Sequence, residues 1–254
     1  MTARVVLLGH GIGYSASPAM HNAAFAFLGI DARYELADVS PAGLADAVNA
    51  LRGPTFLGAN VTQPHKLAVC ELVDEVRPEV ARLGAANTIV RDGHRLVAHN
   101  TDRPAVADEL GELGPRTHAI VLGDGGASRA VQDALAEADS SVTVVDRNRW
   151  SSLPALLAGA QLVVNATPIG TDSDESPIPA DMLRPDLAVL DLVYRPTPSR
   201  LVREARAIGA PARGGAGMLL TQAVLSFELW THRSAPVTVM SDALGRELGA
   251  TISA

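Results

Sequence analysis

The chain has 254 residues, of which 47% are hydrophobic and 19% charged, and these proportions are typical of a folded protein rather than a disordered one. The formal net charge is −7 and no long basic run is present, which argues against nucleic acid as the main partner. The single cysteine, Cys70, excludes an internal disulfide, so we expect a cytoplasmic protein. No apolar run approaches the roughly 20 residues of a membrane span, and we expect no membrane partner.

Short apolar runs alternate with helical patterns along the first hundred residues, which indicates an α/β unit. The predicted strands are Val5–Leu8, Tyr34–Leu36 and Phe56–Val61, and the predicted helices are Pro18–Leu28 and Leu44–Leu51.

A second α/β unit begins near residue 104. Its predicted strands are His118–Leu122, Val142–Val145, Leu162–Asn165 and Ala188–Asp191, and a helix is predicted over Ala127–Ala138. Two more helices are predicted over Ala216–Arg233 and Asp242–Leu248, and we expect these to return to the first unit. The sequence therefore predicts one domain from residues 1–102 and 219–254, and another from residues 103–218.

A glycine loop follows the first strand of the second unit, with the sequence Gly123-Asp124-Gly125-Gly126-Ala127-Ser128. Ser128 stands where the third small residue of a dinucleotide fingerprint belongs, so the fingerprint is met in part. Such a loop lets backbone N–H groups approach a pyrophosphate, although an ordinary strand-to-helix turn has the same pattern.

The next strand ends at Asp146, which lies 20 residues after Gly126. An acidic residue there can accept hydrogen bonds from the 2′-hydroxyl of NAD, whereas Arg147 and Arg149 could bind the 2′-phosphate of NADP. The two signals conflict, and an exposed polar loop would explain all three residues without a ligand.

Serine hydroxyls follow the first strand, in Tyr14-Ser15-Ala16-Ser17-Pro18. Ser15 and Ser17 could bind a carboxylate. The alternative is that Ser17 caps the following helix, with Pro18 at the first helical position.

Polar side chains also follow or end other short apolar runs of the first unit. They lie in Asn60-Val61-Thr62-Gln63-Pro64-His65-Lys66, in Asn87-Thr88 and in Asn100-Thr101-Asp102. Because ligands bind at strand ends in open α/β sheets, these groups predict a site for a polyol. The alternatives are a solvated lysine and local turn chemistry.

Eight motifs in order along nearly the whole chain resemble the shikimate dehydrogenase family. They are Ser15-Ala16-Ser17-Pro18 with His21-Asn22, Asn60 to Lys66, Gly84-Ala85-Ala86-Asn87-Thr88, Asn100-Thr101-Asp102, Gly123 to Arg129, Asn165-Ala166-Thr167-Pro168, Asp191-Leu192-Val193-Tyr194 and Gly217-Met218-Leu219-Leu220-Thr221-Gln222.

The resemblance implies a two-domain α/β fold, with an N-terminal substrate-binding domain, a Rossmann-like nucleotide-binding domain and an active site in the cleft between them. It implies the reversible NADPH-dependent reduction of 3-dehydroshikimate to shikimate, in aromatic amino-acid biosynthesis. We favour NADP over NAD because Arg147-Asn148 resembles the arginine-bearing turn of that family.

The same resemblance implies a role for each matching residue. Lys66 is implied to be catalytic with Asp102 as its partner, and the implied substrate-binding residues are Ser15, Ser17, Asn60, Thr62, Asn87, Tyr194 and Gln222. The implied cofactor-binding residues are Gly123, Gly125, Gly126, Ala127, Ser128, Asp146, Arg147, Thr167, Leu192, Gly215 and Met218. A lysine beside a reacting ketone can stabilise the negative charge that develops on oxygen and supply the proton.

Three departures from the family pattern stand out. Arg103 follows Asp102 where glycine is usual, and this bulky cation could narrow the cleft or shift substrate preference. Asp124 places a carboxylate in the glycine loop. Only 15 residues, Arg147 to Gln161, separate Asp146 from the next strand, so we expect the outermost strand of the nucleotide sheet to be missing and cofactor affinity to be lower.

Two alternative functions stay open. One is a paralogue that oxidises quinate or aminoshikimate, and the other is a non-catalytic shikimate-binding homologue with impaired cofactor binding. No metal-ligand spacing is present, and we expect a small-molecule substrate and a monomer or homodimer.

Overall fold

The computed structural model describes residues 1–252 and divides the chain into two compact units. Unit 1 comprises Met1–Asp102 and the chain from Leu220 onward, and unit 2 comprises Arg103–Leu219. The division differs from the predicted domain boundary at Leu219 alone. Within the described residues, every helix is too short or too polar to cross a bilayer.

Nine helices occur within the described residues. In chain order they are α1 (Ser17–Leu28), α2 (Leu44–Ala50), α3 (Pro78–Leu83), α4 (Asp102–Leu113), α5 (Gly126–Glu137), α6 (Leu153–Leu157), α7 (Arg200–Ala207), α8 (Ala216–Thr231) and α9 (Val237–Leu248).

Unit 1 is built on a six-stranded mixed sheet. Its strands are β1 (Ala3–Gly9), β2 (Ala32–Asp38), β3 (Phe56–Val61), β4 (Glu75–Val76), β5 (Thr88–Asp92) and β6 (Arg95–His99), in the order β2-β1-β3-β5-β6-β4. Strands β1, β2 and β3 are mutually parallel, as the strand-and-helix alternation predicts.

The regular alternation predicted for the first hundred residues is wrong after β3. Strands β5 and β6 form an antiparallel hairpin, and β5 is also antiparallel to β3. The hairpin turns at Gly93, which has a φ of +61°. Since β3 and β6 consequently run in the same direction, the chain leaves both at the same edge of the sheet.

The C-terminal helix α8 is anchored to the centre of this sheet. Trp230 donates its Nε1–H to the carbonyl of Ile89 at 2.9 Å. Gly58 on the neighbouring strand leaves room for the contact, because a Cβ atom there would lie 2.0 Å from the Ile89 oxygen and 2.7 Å from Trp230 Nε1. The return of α8 to the first unit therefore depends on an indole and a glycine that fit together.

Unit 2 contains a five-stranded sheet in which every neighbouring pair is parallel. Its strands are β7 (His118–Leu122), β8 (Ser141–Val145), β9 (Leu162–Asn165), β10 (Ala188–Asp191) and β11 (Ala212–Gly214), in the order β11-β10-β9-β7-β8. Alternate residues face opposite sides, so that Ile120 joins one hydrophobic cluster and Val121 the other.

The short connection after β8 adds no further strand to the described sheet, as its length predicts. It holds a 3-10 segment, Arg147–Ser152, and the short helix α6, and β8 is the edge strand of the described sheet. Arg149 Nη1 donates to the carbonyl of Val144 on this edge at 2.9 Å.

Candidate active site

Lys66 and Asp102 meet at the edge of the unit 1 sheet. Lys66 lies in the segment after β3, and Asp102 is the first residue of α4, close after β6. Lys66 Nζ donates to Asp102 Oδ2 at 2.6 Å, and the two side chains are 15% and 6% exposed. The pair is thus largely withdrawn from water, where charges interact more strongly than on an open surface.

Asn87 fixes the other oxygen of this carboxylate. Its Nδ2 donates to Asp102 Oδ1 at 3.0 Å and to Thr101 Oγ1 at 2.8 Å. Its Oδ1 accepts the backbone N–H of Thr101 at 2.7 Å. Because that backbone group can only donate, the amide of Asn87 has one possible orientation, with its nitrogen towards Asp102.

Asn60 lies beneath these residues and is buried. Its Oδ1 accepts the hydroxyl of Tyr34 at 2.8 Å, and its Nδ2 donates to the carbonyl of Asn87 at 3.1 Å. The amide is already engaged within the protein, so a direct contact with a ligand would require one of these bonds to break.

Thr62 offers a hydroxyl that makes no hydrogen bond within residues 1–252, and its side chain is half-buried. Gln222 lies on α8 and is nearly buried. Both residues belong to unit 1, together with Lys66 and Asp102.

The serine pair begins α1, but helix capping by Ser17 is wrong. Helix α1 starts at Ser17 itself, and the N-cap residue is Ala16, which makes no side-chain hydrogen bond. Ser15 Oγ instead accepts the backbone N–H of Ser17 at 3.3 Å. The two serines are therefore held next to each other at the start of α1.

Sequence reasoning missed the hydroxyl groups that support these residues. The sequence motifs include Thr88 and Thr101 but not Ser226, yet all three are buried and hydrogen-bonded to one another. A signal for Ser226 existed, because it stands one helical turn after Gln222 in an otherwise apolar stretch of α8.

The glycine loop of unit 2 has the geometry of a phosphate-binding turn. Gly123 has a φ of +98°, and a Cβ atom there would lie 3.0 Å from the carbonyl of Ala166. The space beside Gly125 is open, and α5 begins at Gly126 without a side-chain cap. The first N–H groups of α5, from Gly126, Ala127 and Ser128, are thus available to an anion.

Ser128 serves the loop itself. Its side chain is fully buried, and its hydroxyl donates to the carbonyl of Gly123 at 2.7 Å. The carboxylate of Asp124, in the same loop, is exposed.

The turn after β8 resolves part of the conflict between Asp146 and the arginines. The Asp146 carboxylate accepts the backbone N–H groups of Asn148 and Arg149, both at 3.0 Å, and caps the 3-10 segment. Arg149 is bound to the sheet edge. Arg147 is exposed and makes no hydrogen bond or ion pair with any described residue, so its guanidinium is available to a phosphate.

Loops after β9 and β10 contain the other residues implied for the cofactor. The Thr167 hydroxyl donates to Asn165 Oδ1 at 2.6 Å. A Cβ atom on Gly215 would lie 2.2 Å from the carbonyl of Leu192, so these two backbones are in close contact. Met218 is buried in a hydrophobic cluster against which Leu192 also packs.

The loop that carries Tyr194 is held by Asp191. This buried carboxylate accepts the Ser199 hydroxyl at 2.6 Å, Asn165 Nδ2 at 2.9 Å and the Val193 N–H at 3.0 Å. Burial raises the pKa of the Asp191 carboxyl, while the three hydrogen bonds oppose the rise. Tyr194 lies in unit 2 and is half-buried.

The expected effect of Arg103 on the substrate site finds no support in its position. Its Nε lies 3.1 Å from Asp133 Oδ2, and its guanidinium also pairs with Glu137. Both acids lie on α5, so the cation is neutralised within unit 2.

A glycine loop between a parallel strand and a helix, together with a buried amine–carboxylate pair among amide and hydroxyl groups, defines a two-unit dehydrogenase. The chain belongs to the shikimate dehydrogenase family. The family model for the shikimate dehydrogenase substrate binding domain matches residues 7–89, and that for the shikimate 5′-dehydrogenase C-terminal domain matches residues 215–244.

Two curated relatives and one solved structure illustrate the similarity. The chain is 40% identical to a shikimate dehydrogenase (NADP(+)) of Moorella thermoacetica, over 98% of this chain and 95% of the relative. It is 42% identical to that of Halorubrum lacusprofundi, over 95% and 98% of the two chains. The shikimate 5-dehydrogenase of Thermus thermophilus, solved in complex with NADP(H) and shikimate, superposes with a TM-score of 0.86 at 38% identity, covering 97% of this chain and 100% of that one.

Proposed function

We propose that the chain catalyses the reversible oxidation of shikimate to 3-dehydroshikimate with NADP. The observation that carries the proposal is the 2.6 Å contact between Lys66 and Asp102, with Asn87 on the second carboxylate oxygen. The curated relatives named as NADP(+)-dependent shikimate dehydrogenases support the same choice of substrate and cofactor.

Lys66 and Asp102 have different roles at the reacting oxygen: the amine transfers the proton and the carboxylate orients the amine. NADP, when bound, accepts hydride from the carbon of the alcohol or returns it to the ketone. In reduction, the Lys66 ammonium stabilises the negative charge that develops on oxygen and donates the proton. In oxidation, a neutral Lys66 accepts the proton of the hydroxyl, and Asp102 orients the amine through their hydrogen bond.

Unit 1 is proposed to bind the substrate. Ser15 and Ser17 are positioned side by side to donate their hydroxyls to the carboxylate. Thr62, Asn87 and Gln222 supply hydroxyl and amide groups for the ring hydroxyls, and Tyr194 is proposed to line the substrate as well. We propose that Asn60 acts through Asn87, because its own amide is engaged there.

Unit 2 is proposed to bind the dinucleotide, with the pyrophosphate at the start of α5. Arg147 favours NADP over NAD, because its unpaired guanidinium lies beside the turn that Asp146 caps. We propose that Thr167, Leu192, Gly215 and Met218 line the nicotinamide side. The single cysteine supports a cytoplasmic enzyme, and we propose that it acts as a monomer or homodimer.

The test is the substitution Lys66→Ala, with shikimate, quinate and aminoshikimate each offered to the native protein with NAD and with NADP. We expect the native protein to oxidise shikimate fastest with NADP. Lys66→Ala should lower kcat by about 10²- to 10⁴-fold, the usual contribution of a positioned proton donor. Its affinity for shikimate, measured by calorimetry, should be largely preserved.

A Lys66→Ala variant with near-native kcat would overturn the catalytic assignment. Native protein that binds shikimate but oxidises none of the three alcohols would favour the non-catalytic alternative. Lys66→Arg is the matched variant for Lys66→Ala. It keeps a cation beside Asp102 but removes the amine, which can become neutral and accept a proton.

A further inference from the structure

Ser226 is the point at which α8 meets the polar residues beneath the proposed active site. Its side chain is fully buried, and its hydroxyl has four polar neighbours. The distances are 2.8 Å to Thr88 Oγ1, 3.1 Å to Thr101 Oγ1, 3.1 Å to Asn60 Nδ2 and 2.8 Å to the carbonyl of Gln222.

The direction of one of these hydrogen bonds follows from the geometry. Asn87 Nδ2 can only donate, so Thr101 Oγ1 accepts from it and must give its own proton elsewhere. Ser226 Oγ, at 3.1 Å, is a nearer acceptor than Thr88 Oγ1, at 3.4 Å. Ser226 gives its single proton to the carbonyl of Gln222, so in its contact with Thr101 it is the acceptor.

We propose that Ser226 is a positioning residue for the Lys66–Asp102 pair. It acts through the Thr101 hydroxyl, which holds the Asn87 amide against Asp102. The inference deepens the proposed function and rests on it for its kinetic consequence, whereas the hydrogen-bond claim concerns the resting protein alone.

Loss of the Ser226 hydroxyl has a directional consequence for Lys66. Without this acceptor, the Thr101 hydroxyl turns towards Thr88 Oγ1, its other neighbour, and its lone pair is less well aimed at Asn87, which weakens the hold of Asn87 on Asp102. A carboxylate with one donor fewer holds the neighbouring ammonium proton more strongly. Lys66 should then lose its proton at higher pH in Ser226→Ala than in the native protein.

The chain allows this to be measured directly, because Lys66 is its only lysine. Protein labelled with ¹³C at the lysine Cε gives one side-chain signal, whose chemical shift reports protonation as pH is raised. We expect the midpoint in Ser226→Ala to rise by about 0.5 pH unit, a fraction of what one hydrogen bond to a charged group is worth.

Kinetics provide a second readout. Below the midpoint, shikimate oxidation is proportional to the neutral fraction of Lys66, so a rise of about 0.5 pH unit lowers kcat about threefold. The deficit should disappear when the pH is raised above the midpoint, and KM should change less than kcat. A role limited to folding would lower the active fraction at every pH.

Ser241→Ala is the matched control, since Ser241 is a nearly buried helical serine of the same unit whose hydroxyl donates to Ile252 at 2.7 Å. It should leave the midpoint unchanged. If Ser226→Ala fails to fold, Thr101→Val removes the same link and should raise the midpoint, and Thr101→Ser should restore it.

An unchanged Lys66 midpoint in Ser226→Ala or Thr101→Val would overturn the inference, even if activity fell. Failure of the proposed function would instead appear as native protein without shikimate oxidation. In that case the resonance titration still decides the role of Ser226.

Discussion

His21 makes the core of unit 1 sensitive to acid. Its side chain is fully buried on α1, and neither ring nitrogen has a hydrogen-bond partner among residues 1–252. The ring stacks on Tyr34 at 4.4 Å between centroids, with 10° between the planes. Burial lowers the pKa of His21 from 6.5 to about 3, because a charged imidazole cannot be solvated there.

The lowered pKa of His21 makes the folded protein less stable in acid. Below pH 6.5 the unfolded chain takes up a proton that the folded protein refuses until about pH 3, so stability falls as pH falls through this window. Each pH unit is worth about 1.4 kcal/mol, which gives a loss of about 2 kcal/mol at pH 5 and about 5 kcal/mol over the whole window.

The perturbation is His21→Phe, which keeps a flat ring against Tyr34 and removes the titration. Urea unfolding of both proteins at pH 8, 6 and 5 should show a stability difference that moves by about 2 kcal/mol in favour of the variant between pH 8 and pH 5. His94→Asn, a change at an exposed histidine, is the control and should track the native protein. Parallel curves for native protein and His21→Phe would refute the reasoning.

Three further substitutions test other features. Gly58→Ala should lower the free energy of unfolding in urea by about 3 kcal/mol, because its Cβ would collide with Ile89 and Trp230. The control Gly111→Ala, with open space around it, should be neutral or stabilising. Equal effects of the two substitutions would contradict the packing argument. Asp191→Asn should cost about 2 kcal/mol, because its amide nitrogen would face the Ser199 hydroxyl, whose proton would lose its acceptor, and no loss would contradict the hydrogen-bond assignment. Arg147→Ser should raise the KM for NADP about tenfold and leave that for NAD nearly unchanged, and equal rises would exclude a 2′-phosphate contact.

Local patterns in the sequence were enough to predict much of the framework. The strand of His118–Leu122 and the glycine loop after it depend on neighbours in the chain, and the structure has both as predicted. The hairpin of β5 and β6 was not predicted, although glycine at the first position of a two-residue loop, here Gly93-His94, is a recognised hairpin signal.

Contacts between distant parts of the chain could not be predicted in the same way. Thr101 and Ser226 lie 125 residues apart, and their contact depends on the path by which α8 returns to unit 1. Likewise, the sequence does not show that two acids on α5 bind the guanidinium of Arg103. Side chains of this kind are placed by tertiary packing, which spacing along the chain does not encode.

The short connection after β8 leaves β8 at the edge of the sheet, where another chain could pair with it. An edge strand with open carbonyls invites another extended segment to pair with it and so promotes aggregation. Here the Arg149 guanidinium covers the Val144 carbonyl and brings a positive charge to the rim of the sheet. This contact engages one carbonyl of the edge strand, which discourages edge-to-edge association between molecules.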